Sequence, residues 1–238
     1  MTANRGKRRF LLALCSFLAL LFGGLGIWQI ERLAWKLALI ERVEARVSAP
    51  PGPAPAPEAW RSITQERDEN RHVAVRGTFD YASETLVDAL TERGPGYWVL
   101  TPLRTATGTI LVNRGFVPRV ADSPADRAAS RQTGEVTVTG LLRMAEPDGR
   151  FLRPNDPRQD RWFSRDVGAI AKARGLGPVA PFFIDADSGS TPGRLPVGGM
   201  TVVRFRNAHL VYALTWFALA ALSLVGLALV LRSLEDGR

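Results

Sequence analysis

Two uninterrupted apolar runs, Phe10 to Ile30 and Val211 to Leu231, stand near opposite ends of this sequence. Each is about the 20 residues that a helix needs to cross a hydrocarbon core of ~30 Å. Lipid offers no hydrogen-bond partner to an open backbone, so runs of this kind must close their own amides as helices. The expected fold class is therefore a membrane α+β chain, with two terminal transmembrane helices framing whatever lies between them.

The first run follows Arg5, Lys7, Arg8 and Arg9 and ends in LGIWQIERLAWK, without a small-x-small cleavage site. Its apolar core is also longer than that of a secretory signal, so an uncleaved signal anchor is predicted. A basic start favours the cytoplasmic side, and a second crossing returns Arg232 and Arg238 to it. The layout that follows is a cytoplasmic N-terminus (1–9), a first span (10–30), a helical stalk with a Pro-rich linker (31–59), an exported domain (60–208), a second span (209–231) and a cytoplasmic C-terminus (232–238).

A net charge of +8 raises the question of nucleic acid. The arginines are scattered among acidic residues, only three lysines are present, and no nucleic-acid motif occurs. That distribution fits a solvated basic surface near anionic lipid, not a phosphate-binding patch. The one cysteine, Cys15, lies inside the first span, so the exported part has no disulfide, no CxxC pair and no thiolate pair for copper or zinc.

Past the first span Trp28, Arg32, Trp35, Lys36 and Leu39 share one helical stripe, as suits an aromatic belt with snorkelling cations. PPGPAPAP, Pro50 to Pro57, then predicts an extended polyproline spacer. Beyond Trp60, seven short runs rich in Val, Ile, Thr and aromatics read as strands: HVAVRGTF, TLVDAL, YWVLTPL, TILVNRGFV, EVTVTGLLR, FFIDA and TVVRFR. They predict a mainly β domain, barrel or sandwich-like. Asp166 to Arg174 predicts a helix capped by Gly175, and Asp122 to Gln132 a second short one.

No GxSxG, HExxH or Cys-His pairing is present, and His72 sits in a strand pattern without metal-spaced partners. The chain is expected not to be an enzyme. Within the first span, Ala19 and Gly23 form a small-xxx-small pair suited to close helix packing.

At the second span His209, Tyr212, Ala213, Trp216 and Ala220 fall at i, i+3, i+4, i+7 and i+11, which puts imidazole, phenol and indole on one face. Two readings fit that spacing. These amphipathic side chains belong at the headgroup level whatever they bind. The same face, with Trp28 at the exit of the first span, would also accept a flat apolar macrocycle with an imidazole nitrogen on its iron, and Arg32, Arg204 and Arg206 lie where they would meet its propionates.

LGIWQIERLAWKLALI, GPGYWVLTPL, ILVNRGFVP and NAHLVYALTWFALA, in this order from Gly26 to about Ala220, resemble the successive signatures of the surfeit locus protein 1 family of cytochrome c oxidase assembly factors. Phe116 stands where members often have tryptophan, and Ala208 where a polar residue is common. The resemblance implies capture of haem a at the outer membrane boundary, with His209 as its metal ligand, and delivery to oxidase subunit I. Haem a synthase and other assembly factors are the further implied partners, besides membrane lipid. The competing expectation is a haem-free scaffold that stabilises subunit I.

ILVNRGFVP also carries two readings: a tight turn at Arg114-Gly115 beside a buried aromatic, or an exposed docking edge formed by Asn113, Arg114, Gly115 and Phe116. A lead of nine residues before the first span leaves no room for a mitochondrial transit peptide. The expected location is a bacterial inner membrane, with both termini cytoplasmic and the central domain periplasmic.

Overall fold

Closure of a five-stranded barrel organises the residues between the two apolar ends. The structure, a computed structural model, describes residues 2–188, 194–200 and 207–235. In chain order its elements are helix α1 (Thr2–Val47), strand β1 (Gly52–Pro53), helix α2 (Gln65–Asp68), β2 (His72–Phe79), β3 (Thr85–Thr91), β4 (Gly94–Arg104), β5 (Thr109–Pro118), β6 (Val136–Met144), α3 (Val167–Ala173), β7 (Val179–Ala186) and α4 (His209–Glu235). The chain divides into two units, residues 1–42 with 204–238, and residues 43–203.

In the second unit the strand order is β1-β2-β6-β7-β5-β4-β3, and a further β2–β4 pairing closes the five central strands into a barrel. The pairs are antiparallel except β5 with β7 and β1 with β2. Alternation along β5 explains its composition. Ile110 and Val112 join one core cluster with Val73, Leu103, Leu142, Phe182 and Ile184. Leu111 turns to a second cluster with Val87, Leu100, Trp162, Ile170 and Phe183. Both faces are buried, so the strand reads as a continuous apolar run.

Six of the seven expected strands form, while TVVRFR lies outside the described residues. The seventh strand observed is Gly52–Pro53, inside the expected spacer. Gly52 and Pro53 run beside Val73 and Ala74, and Ala54 N–H donates to the Ala74 carbonyl at 3.0 Å. Proline is admitted there because an edge strand needs few of its own amides. The Asp166–Arg174 helix is present as α3, with Asp166 Oδ1 accepting from Ala169 N–H at 3.0 Å. The segment from 122 to 132 winds only as a 3-10 turn, Pro124–Ser130.

NRGFVP is neither a turn nor an exposed edge. β5 runs through it, and Asn113, Gly115 and Phe116 are buried. Gly115 has φ +128°, and a Cβ there would sit 2.2 Å from the Val197 carbonyl oxygen. The chain crosses at this point and pairs Phe116 with Val197 through both backbone hydrogen bonds, 2.9 and 2.8 Å. Asn113 Nδ2 donates to Asp185 Oδ1 at 2.8 Å. The docking role expected of these four residues therefore meets an interior wall, where the side chains serve the barrel itself.

Arg114 belongs to a buried ion cluster. Glu84 pairs with Arg127 at 2.6 Å and with Arg114 at 3.1 Å, and accepts from Thr101 Oγ1 at 3.0 Å. Arg127 also donates to the Asp122 and Ser123 carbonyls, so one carboxylate ties the 122–130 segment to the barrel. Removing one member of a buried ion group strands the other charges, at a cost of about 3 to 5 kcal/mol. Glu84→Ala is therefore expected to lower unfolding free energy by roughly that amount, read from denaturant curves of the full chain in micelles.

His72 is satisfied, as its strand position suggests, and both ring nitrogens face acceptors: the Ala49 carbonyl at 2.8 Å and Asp187 Oδ2 at 2.9 Å. Only imidazolium donates from both. Burial opposes the charge, yet Asp187 and Ala49 outweigh it and raise the His72 pKa above 6.5. A pKa raised by folding contributes stability that is complete below the unfolded value and lost as pH rises through the folded one. The denaturation midpoint is expected to fall from about pH 6 to about pH 8, and Asp187→Asn to flatten that dependence.

Candidate functional site

Polar side chains in a membrane span are costly unless they find partners. The first unit contains such a pair. Gln29 of α1 is only 8% exposed. Its Oε1 lies 2.8 Å from Nδ1 of His209, the first residue of α4. An amide carbonyl accepts here from Nδ1–H, which leaves the Nε2 lone pair free. Nε2 has no hydrogen-bond partner among the described residues. The His209 backbone N–H donates to Asn207 Oδ1 at 3.4 Å, a weak N-terminal cap.

The contacts around this pair follow one seam. Phe22 stacks on Trp216 with centroids 5.6 Å apart, the Phe217 ring lies against Gly26, and Gly226 approaches Cys15. On α4 the buried positions Ala213 (1% exposed) and Ala220 (9%) alternate with His209 and Trp216 at four- and three-residue steps. That is the 3.5-residue rhythm of two helices packing along their length. Small residues at the seam bring the backbones close. The small residue that does so on α1 is Gly26 and not Gly23, since a Cβ at Gly23 would meet nothing within 4 Å. Thr215 and Ser223 satisfy their hydroxyls on the carbonyls of Val211 and Leu219, four residues back.

The expected face is therefore divided. His209 and Trp216 turn toward α1, whereas Tyr212 is 56% exposed and Trp28 53% exposed. Arg32 is exposed, with its guanidinium 4.3 Å from the Trp35 ring centroid. Arg204 and Arg206 lie outside the described residues. Gln29 was not among the expected site residues. A lone amide in an otherwise apolar run was the available signal, because a side chain of that cost in lipid implies a partner.

As a ligand set, the site offers one imidazole nitrogen, His209 Nε2. Among the described residues no three of His, Cys, Asp or Glu come together. A closed cage for a bare ion needs more donors than that. A haem would ask the protein for as little as one nitrogen, and His209, with its Nδ1 already engaged by Gln29, would hold it through Nε2.

Both Gln29 and His209 fall within the family match. Residues 16–221 match the SURF1 family. Surfeit locus protein 1 of Rattus norvegicus is 40% identical over 216 residues, covering 83% of this chain and 68% of its own length. That of Homo sapiens is 41% identical over 217 residues, covering 83% and 70%. A SURF1-like protein of Monosiga brevicollis is 39% identical over 216 residues, covering 84% and 80%. A family match over residues 16–221, with relatives about 40% identical over most of the chain, means that the chain belongs to the SURF1 family.

Proposed function

We propose that this membrane protein is a non-enzymatic cytochrome c oxidase assembly factor that carries haem a and hands it to oxidase subunit I. Membership of the SURF1 family supports the assembly role. The observation that carries the haem reading is the 2.8 Å contact between Gln29 Oε1 and His209 Nδ1, which leaves the Nε2 lone pair without a partner among the described residues, at the start of a helix long enough to span a membrane.

A bound haem would supply an iron, and His209 Nε2 is the nitrogen that would hold it. The chain's residues do the rest. The Gln29 carbonyl accepts from His209 Nδ1–H, which orients the ring and turns the Nε2 lone pair to the cargo. Tyr212 and Trp28 present amphipathic rings outward, where a lipid-soluble macrocycle would lie against them. Arg32, exposed beside Trp35, provides a cation for a propionate. One imidazole ligand without thiolates holds such a cargo only moderately, as a carrier that must release requires. Haem a synthase is the proposed donor and subunit I the acceptor, with other assembly factors alongside. The proposed setting is a bacterial inner membrane, with both termini cytoplasmic and the barrel periplasmic.

Spectra, crosslinking and NMR test this. Protein purified from cells that make haem a is expected to carry its absorption bands, and His209→Ala to lose them. Equal pigment in both would remove His209 as the ligand. A colourless wild type that photocrosslinks to subunit I would replace the carrier with a haem-free scaffold. Gln29→Leu keeps side-chain size and removes the acceptor, so haem occupancy is expected to fall about 10- to 100-fold. Nitrogen NMR of labelled histidine should show the His209 proton leaving Nδ1 in that variant; an unchanged tautomer would refute the orienting role of Gln29.

A further inference from the structure

Between β6 and α3 the chain forms a loop whose outermost part is a tight hairpin. Arg150 and Arg153 exchange both backbone hydrogen bonds at 2.9 Å, leaving Phe151 and Leu152 as a two-residue tip. Phe151 is 92% exposed and Leu152 85%. Leu152 has φ +60°, a conformation that glycine or asparagine ordinarily occupies in turns and that a leucine Cβ disfavours. Strain is thus tolerated at a place where a large apolar side chain is held in the open.

The base of the loop is well tied. Asn155 Oδ1 accepts from the backbone N–H of Phe163 at 2.8 Å and of Ser164 at 3.2 Å. Ser164 Oγ donates to the Glu146 carbonyl at 2.6 Å and accepts from Gly149 N–H at 3.0 Å. Trp162, next in line, is buried and bridges to Val87 of β3. The tip is presented by a fixed scaffold.

Its surroundings are basic. The guanidiniums of Arg153 and Arg161 lie 5.7 and 5.6 Å from the Phe163 ring centroid. Neither they nor the exposed Arg158 makes an ion pair with a carboxylate among the described residues. Three nearby acids are engaged elsewhere, and a fourth, Asp148, is exposed. Asp160 binds Arg174 at 2.7 Å, Asp156 accepts from the backbone of Arg158 and Gln159, and Asp88 pairs with Arg119 and Arg150.

We propose that this hairpin docks on an anionic bilayer surface, seating Phe151 and Leu152 at the headgroup and acyl boundary, with Arg153, Arg158 and Arg161 on lipid phosphates. The chemistry fits lipid better than protein. A convex tip of two side chains is far smaller than the ~800 Å² per partner of a stable protein interface. Apolar tips flanked by arginine match the layered polarity of a membrane surface. A chain already held in the bilayer by two spans also meets that surface at high effective concentration, so a small contact suffices. The inference is independent of haem.

The test uses the full chain in liposomes, with p-benzoylphenylalanine in place of Phe151 and, in a second protein, in place of Leu152. Illumination is expected to give lipid adducts at both positions. The yield should be several-fold higher in phosphatidylcholine containing phosphatidylglycerol than in phosphatidylcholine alone, and should fall when Arg153→Gln, Arg158→Gln and Arg161→Gln are combined. The same probe at exposed Asp126 sets the background. Lipid adducts no greater than that background, equal yield in the two vesicle types, or adducts to protein alone in native membranes would each overturn the proposal.

Discussion

A polar side chain at the end of a membrane-length helix is costly unless it finds a partner, and the pairing of His209 with Gln29 meets that constraint for both residues at once. The hydrogen bond also sets the register of α1 against α4. With residue 29 opposite 209, the stack of Phe22 on Trp216 and the approach of Cys15 to Gly226 follow along an antiparallel seam. Alanine and glycine at the intervening positions bring the helices close enough for the bond to form. One interaction thus orients the imidazole and aligns the helices that present it, which is why the candidate site and the packing of the membrane unit cannot be separated.

Charge plays the matching part in the barrel. Glu84 between Arg114 and Arg127, and Asp185 among Asn113, Arg143 and Arg165, are buried polar groups whose partners come from distant parts of the chain. Each such group is expensive alone and satisfied only in the closed arrangement, so together they favour one topology over other ways of collapsing the same strands. The parallel placement of β5 beside β7 belongs to that arrangement, since Asn113 and Asp185 meet across it. The residues that looked most like a docking motif are, for this reason, part of the wall.

Some of the site was legible before folding. The positions of His209 and Trp216, seven residues apart, put them on one helical face, and both do turn to α1. Tyr212, three residues from His209, shares the face in projection but lies outside the seam, because a 3.5-residue stripe is narrower than the face of a single helix. Gln29 and the small-residue contact at Gly26 depend on which side of α1 meets α4. Periodicity within one helix carries no information about that choice.

The sequence by itself determined two membrane-length helices and a mainly β domain without cysteine between them, because run length, alternation and composition act locally. Tertiary structure decided that a proline-rich spacer would pair with β2, that NRGFVP would be interior and that Gln29 would orient His209. Those outcomes rest on partners 20 to 180 residues away. Burial and hydrogen bonding between remote segments are settled only when the chain closes on itself.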